Sequence, residues 1–104
     1  MHSLIAPFLA HLSLERGLSR HTRAAYKADL VFLADWLATR GVRSVNDITR
    51  RQVTEFLTAQ RAEGREASTV ARRLVAVKTF FRFLQGEGLL AVNVTDVMES
   101  PRLW

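Results

Sequence analysis

The sequence predicts an all-α fold, built as a bundle of four main helices with a short fifth. Apolar residues recur every three or four positions along most of the chain, and no stretch alternates apolar and polar residues for long enough to form a sheet. Glycine, with 5 residues, and proline, with 2, are too sparse to break these periodic stretches often. The length of 104 residues suits one domain with one core, and the 48% hydrophobic content excludes wholesale disorder.

The first two helices are predicted from their end signals. Pro7 suits a first turn and Gly17 a C-terminal stop, which places the first helix over about residues 7–16. Ser19 is an N-cap for a second helix that runs through Arg40 and stops at Gly41. Apolar and aromatic side chains at helical spacing form the buried stripe of this long helix: Tyr26, Leu30, Leu33 and Leu37.

The third helix has the clearest local signal in the chain. Thr49 and Gln52 fit a capping box, in which each side chain satisfies a backbone N–H near the helix start. Ile48 and Val53 fit the hydrophobic staple around that box. We expect this helix to continue to about Ala62.

The fourth helix is predicted to begin at a Ser68 cap and to continue to Gln85. Its inner stripe lies within a narrow arc at about 100° per residue, and consists of Val70, Leu74, Val77, Phe81 and Leu84. A weaker pattern over residues 95–99 predicts the short fifth helix, which Pro101 would end.

An excess of basic residues is the first clue to function. Lys and Arg number 15 against 10 Asp and Glu, which gives a net charge of +5, and only Lys27 and Lys78 are lysine. The arginine fork matches phosphate groups and guanine edges, although a GC-rich genome would also favour arginine. A basic domain of this kind favours a nucleic-acid partner.

Motifs that mark catalytic, metal or cofactor sites are missing from the sequence. It holds no HExxH, GxxxxGK[ST], GxGxxG or GxSxG motif, and His2, His11 and His21 lie at no metal-binding spacing. We therefore expect no catalytic residues, no metal and no cofactor. The absence of cysteine fits a reducing, cytoplasmic location, and the chain shows neither a signal peptide nor an apolar run of about 18 residues for a membrane.

Basic side chains gather at the start of the second helix. Arg20, Arg23 and Lys27 fall within about 60° of arc, and Thr22 adds a hydroxyl in the same first turns. The N–H groups and partial positive charge of a helix start suit a phosphate.

The fourth helix repeats this chemistry. Ser68 and Thr69 stand at its start, Arg72 and Arg73 follow one turn later, and we expect all four on the side away from the apolar stripe. Lys78 and Arg82, four residues apart, form a second basic flank. Ordinary solvated faces are the alternative, but two matching helix starts with no acid expected beside either favour double-stranded DNA as the partner.

Several segments together resemble a known family. Residues 18–30 are similar to the LSxxTxxxYxxDL opening of the core-binding domain of tyrosine recombinases, also called phage integrases. Residues 68–84 are similar to that family's SxxTxxRxLSAxRxFFxFL helix, and residues 87–88 and 100–104 to its exit. Val75 and Val94 depart from the family's usual serine and proline. The resemblance covers nearly the whole chain and is greatest to the Xer branch, which resolves chromosome dimers.

The resemblance implies a SAM-like bundle that forms half of a C-shaped clamp around DNA. Two helices of that bundle enter the major groove, and by position these are the second and fourth helices here. Residues 1–99 would be the core-binding domain, and residues 100–104 the start of a linker to a catalytic domain outside this chain. Tyr26 matches a structural position of the family, so it is not the family's nucleophilic tyrosine. The fragment should therefore bind DNA without cutting it. The longer protein should join other recombinase subunits in a tetramer on paired sites. A stand-alone helix-turn-helix regulator and a helical protein-interaction module remain the alternatives.

Overall fold

Four α-helices dominate residues 1–98, the part of the chain that the computed structural model describes, except for the side chains at positions 15 and 16. These are α1 (Ile5–Arg16), α2 (Arg20–Ala38), α3 (Arg50–Ala62) and α4 (Ala67–Gly86), with short 3-10 helices at His2–Leu4 and Val45–Asp47. No strand occurs within this part, so the prediction of an all-α fold with four main helices is confirmed.

Two helix starts form as their capping residues predict. The Ser19 Oγ accepts a hydrogen bond from the Thr22 backbone N–H at 3.2 Å and caps α2. Before α3, the Gln52 N–H donates to the Thr49 Oγ1 at 3.1 Å, while the Thr49 N–H donates to the Gln52 Oε1 at 2.9 Å. This is the predicted capping box, and it satisfies two backbone donors that the helix itself leaves free.

The predicted start of α1 at about Pro7 is two residues late, because the helix begins at Ile5. Two further predicted helix boundaries are wrong by one turn or less. Ser68 does not cap α4, because the helix begins at Ala67 and the exposed Glu66 occupies the N-cap position without a side-chain cap bond. At the other boundary, α2 ends at Ala38 rather than Arg40. The chain turns there because Gly41 adopts a φ of 77°, a conformation that glycine reaches without strain.

The fifth helix is absent from the described residues. Residues 94–97 form turns, and position 99 lies outside the described part of the chain. The Asn93 Oδ1 accepts hydrogen bonds from both the Thr95 N–H at 3.0 Å and the Thr95 Oγ1 at 2.6 Å. Such side-chain bonds compete with helical hydrogen bonding and favour a turn.

The core lies where α2 packs against α1, α3 and α4. Aromatic rings connect the helices: Phe8 of α1 meets Phe80 of α4 at 5.2 Å between ring centroids, and Trp36 of α2 meets Phe56 of α3 at 5.4 Å. Tyr26 is partly buried against this core, as predicted. The packing fixes which edge of α2 faces each neighbour, and so positions its basic residues.

Candidate nucleic-acid interface

The amino-terminal half of α2 exposes a row of three side chains, two of which are small. His21, Ala24 and Ala28 are all exposed and lie within about 60° of arc on the helix. We call this row the α2 crest. Because two of its three residues are alanines, another surface can approach the α2 backbone closely along it.

One edge of the crest is basic and faces α1. Arg20 and Lys27 are exposed there, while Arg23 is partly buried and its Nη1 donates to the Ser13 Oγ of α1 at 2.6 Å. All three basic residues line one open groove between α1 and α2, beside Leu14, which is 87% exposed. The structure therefore brings Arg20, Arg23 and Lys27 together, as their spacing predicts.

The opposite edge of α2 carries an acid, Asp29, which is only 1% exposed. Arg72 of α4 binds it with both arms of a fork: the Arg72 Nε lies 2.9 Å from Oδ2, and the Arg72 Nη2 lies 2.7 Å from Oδ1. These hydrogen bonds raise the pKa of Arg72; its burial opposes that rise and the charge of Asp29 adds to it. The expectation that no acid lies beside the basic start of α4 is therefore wrong.

Arg73 lies inside the protein rather than on its surface. Its side chain is 10% exposed, its Nε lies 3.2 Å from the Asp29 Oδ1, and its Nη1 donates to the Gln60 Oε1 of α3. Its guanidinium also lies 4.6 Å from the centroid of the Phe32 ring. The expectation that Arg73 lies on the side away from the apolar stripe is wrong, because one residue after Arg72 the helix has turned by about 100° toward the core.

Hydroxyl groups lie on the edge of α2 that carries Asp29 and at the start of α4 before Arg72. Thr22 is partly buried on the same edge of α2 as Asp29, two turns earlier, and accepts a hydrogen bond from the Ser19 Oγ at 3.0 Å. On α4, Ser68 is exposed one turn before Arg72, while Thr69 is partly buried.

The second basic flank of α4 is separate from this edge. The Lys78 Nζ donates to the backbone carbonyl of Met98, which ties Lys78 to the segment after α4. Arg82 is exposed but lies ten residues beyond Arg72, about 15 Å along the helix, where it lines a pocket with Phe8 and His11 of α1. Neither residue therefore joins Arg72 at the α2 edge.

Sequence reasoning missed Asp29 and Gln60. Asp29 precedes Leu30 of the buried stripe, and an acid beside an apolar stripe needs a cationic partner when the helix packs. That signal was present in the sequence; for Gln60 we find no comparable signal.

Residues 1–98 show no candidate metal cluster and no membrane-spanning helix. Within them, no group of three or more His, Cys, Asp or Glu residues could hold a metal ion. No helix in the same range is long and apolar enough to cross a membrane.

Comparison with known proteins identifies the family. Residues 5–88 match the family model described as "Phage integrase, N-terminal SAM-like domain". The chain is 40% identical over 103 residues to a "Tyrosine recombinase XerC" of Roseiflexus castenholzii, covering 99% of this chain and 33% of that protein. It is 34% identical over 99 residues to a "Tyrosine recombinase XerD" of Bifidobacterium longum, covering 95% of this chain and 32% of that protein.

The chain thus spans about a third of the length of the curated relatives that it matches. No solved structure gives a significant match. The family match nevertheless takes in all four helices up to the end of α4. The chain therefore belongs to the phage integrase N-terminal SAM-like domain family, and is similar over nearly its whole length to the N-terminal domain of XerC and XerD tyrosine recombinases.

Proposed function

We propose that this domain binds duplex DNA as the DNA-binding arm of a Xer-like tyrosine recombinase. The observation that carries the proposal is the α2 crest, with two alanines along its top and cations on both of its edges. Arg20 and Lys27 stand on one edge, and Arg72 of α4 stands beyond the other.

The dimensions of DNA suit this arrangement. The major groove of B-DNA is about 12 Å wide, and a helix with its side chains is about 10–12 Å across, so only a helix with a slim outer face enters deeply. Ala24 and Ala28 provide that face. Phosphates line both walls of the groove, so cations on both edges of one helix can contact the two strands at once.

The solvent exposure of each side chain indicates whether it can contact DNA. Arg20, Lys27 and Arg72 reach phosphates or base edges directly, since all three are exposed. The hydroxyls of Thr22, Ser68 and Thr69 add hydrogen bonds to the backbone of the DNA. Hydrogen bonds within the domain engage Arg23, Arg73 and Lys78, which support the fold instead of contacting DNA. Arg82 is exposed but lies about 15 Å along α4 from Arg72, outside this interface.

Recombination chemistry belongs to the rest of a longer protein in this proposal. The relatives are named tyrosine recombinases, and the chain matches only about a third of their length. In the family that the sequence resembles, the catalytic residues lie in a second domain. This domain would therefore hold DNA, without cutting it, in a tetramer that resolves chromosome dimers.

Salt-dependent binding tests the proposal. Fluorescence anisotropy with a duplex of about 30 bp carrying a Xer-type inverted repeat, and a scrambled duplex, gives affinity at several salt concentrations. Each phosphate contact contributes a slope of roughly −0.9 to log K against log salt. Lys27→Ala should weaken binding and reduce the slope by about 1, whereas Arg51→Ala, an equal charge change at an exposed position of α3, should change both much less.

The outcomes separate the alternatives. Equal losses from Lys27→Ala and Arg51→Ala would contradict the α2 interface and leave only a diffuse attraction of opposite charges. No binding even at low salt would favour a protein-interaction module. A helix-turn-helix regulator is disfavoured already, because it reads DNA with a short helix after a tight turn, and α4 is 20 residues long.

A further inference from the structure

One carboxylate holds two arginines at the junction of α2 and α4. Asp29 is 1% exposed and accepts hydrogen bonds from Arg72 at 2.9 and 2.7 Å and from Arg73 at 3.2 Å. The group thus keeps one net positive charge. Because the side chain of Arg73 is 10% exposed and that of Arg72 is 47% exposed, this charge faces solvent at Arg72.

The bonds to Asp29 use only one side of the Arg72 guanidinium. They engage Nε and one N–H of Nη2. A guanidinium has five N–H groups in a rigid plane, so three remain, on Nη1 and the outer side of Nη2. Two of these point in parallel from the far end of the plane, which is the geometry that binds a phosphate or the O6 and N7 of guanine with two bonds.

We infer that Asp29 is a positioning residue for DNA binding: it fixes Arg72 so that the outer pair of N–H groups points toward the DNA beside the α2 crest. The inference rests on the proposed function and deepens it. An arginine side chain with no partner loses much conformational entropy when it binds a ligand, and a side chain that hydrogen bonds already hold loses less. Arg73 supports the arrangement from inside, since it holds the same Asp29 oxygen that Arg72 Nη2 contacts.

The direction in which Asp29→Asn changes the affinity for DNA separates a positioning role from a simple effect of charge. Asp29→Asn removes a negative charge near DNA, so electrostatics alone predicts tighter binding. Positioning predicts the reverse, because the neutral amide presents one oxygen instead of two and no longer holds the fork of Arg72. Glu55→Gln, the same charge change at an exposed position of α3, is the matched control and should leave affinity nearly unchanged.

A double-mutant cycle then assigns the effect to Arg72. Anisotropy with the inverted-repeat duplex is measured for the wild type, Asp29→Asn, Arg72→Ala and the double variant, at a temperature where circular dichroism shows all four folded. Asp29→Asn should weaken binding about fivefold or more in the wild-type background and much less in the Arg72→Ala background. Tighter or unchanged binding, or an equal loss in both backgrounds, would overturn the inference.

Arg72→Lys keeps the test decisive if Asp29→Asn does not fold. Lysine preserves the charge but cannot hold a carboxylate and a phosphate through one rigid plane. We expect Arg72→Lys to lose most of the affinity that Arg72→Ala loses, and binding at the wild-type level would refute the positioning role. A wild-type protein that does not bind DNA would instead refute the proposed function itself.

Discussion

Replacement of Arg73 by methionine should destabilise the fold, because it leaves the buried side chain of Gln60 without a hydrogen-bond partner. Arg73→Met keeps an unbranched, apolar stem that ends near the position of the arginine Nε, but removes the guanidinium and its hydrogen bonds to Asp29 and Gln60. Asp29 retains its two bonds to Arg72. Gln60 is 1% exposed, and its Nε2 already finds no partner among the described residues, so the variant leaves the whole amide buried and unpaired.

The expected cost follows from these contacts. An unpaired buried polar group costs about 1–3 kcal/mol, and loss of the cation–π contact with Phe32 adds about 1 kcal/mol. Part of this cost is offset, because folding of the variant no longer transfers a charged guanidinium from water into the protein interior. We expect the free energy of unfolding to fall by about 2 kcal/mol, which lowers Tm by about 10 °C in a domain of this size.

Urea unfolding followed by circular dichroism measures the effect, and Gln60→Leu supplies the decisive comparison. Alone, Gln60→Leu should also destabilise, because it leaves the Arg73 Nη1 without its acceptor. Together the two substitutions replace both partners by apolar groups, so the double variant should be more stable than the sum of the single losses predicts, by at least about 1 kcal/mol. Strictly additive losses would refute the assignment of Arg73 to the buried network.

Two other substitutions test the fold that carries the interface. Ser19→Ala removes the acceptor for the Thr22 N–H and should cost about 1 kcal/mol in chemical unfolding, whereas Ser19→Asp should preserve most of the stability. Phe56→Ala removes a fully buried ring between Phe32 and Trp36, and should cost about 3–5 kcal/mol in thermal unfolding; a loss below about 1 kcal/mol would contradict this packing.

Local signals in the sequence predicted most of the fold. The capping box of Thr49 and Gln52 depends on residues three positions apart, so the sequence alone contains the whole interaction. The same holds for the Ser19 cap of α2. The predicted fifth helix failed for a local reason too, because the side chain of Asn93 captures the donors of Thr95.

The candidate site needed the tertiary structure. Arg72 and Arg73 look equivalent in the sequence, yet one is half exposed and the other nearly buried. Their shared partner, Asp29, is 43 residues from Arg72 along the chain, and only the packing of α2 against α4 brings them together. Helical periodicity shows which residues share a face, but not which neighbouring helix covers that face.

Mapping of the DNA contact surface by NMR shows directly whether α2 and the start of α4 face the DNA. Backbone amide shifts would be recorded while the inverted-repeat duplex is added to the isotope-labelled domain. We expect the largest changes along residues 19–28 of α2 and at the start of α4 around Arg72, with small changes along the exposed side of α3. Changes centred on α3, with α2 unaffected, would contradict DNA binding through the α2 crest.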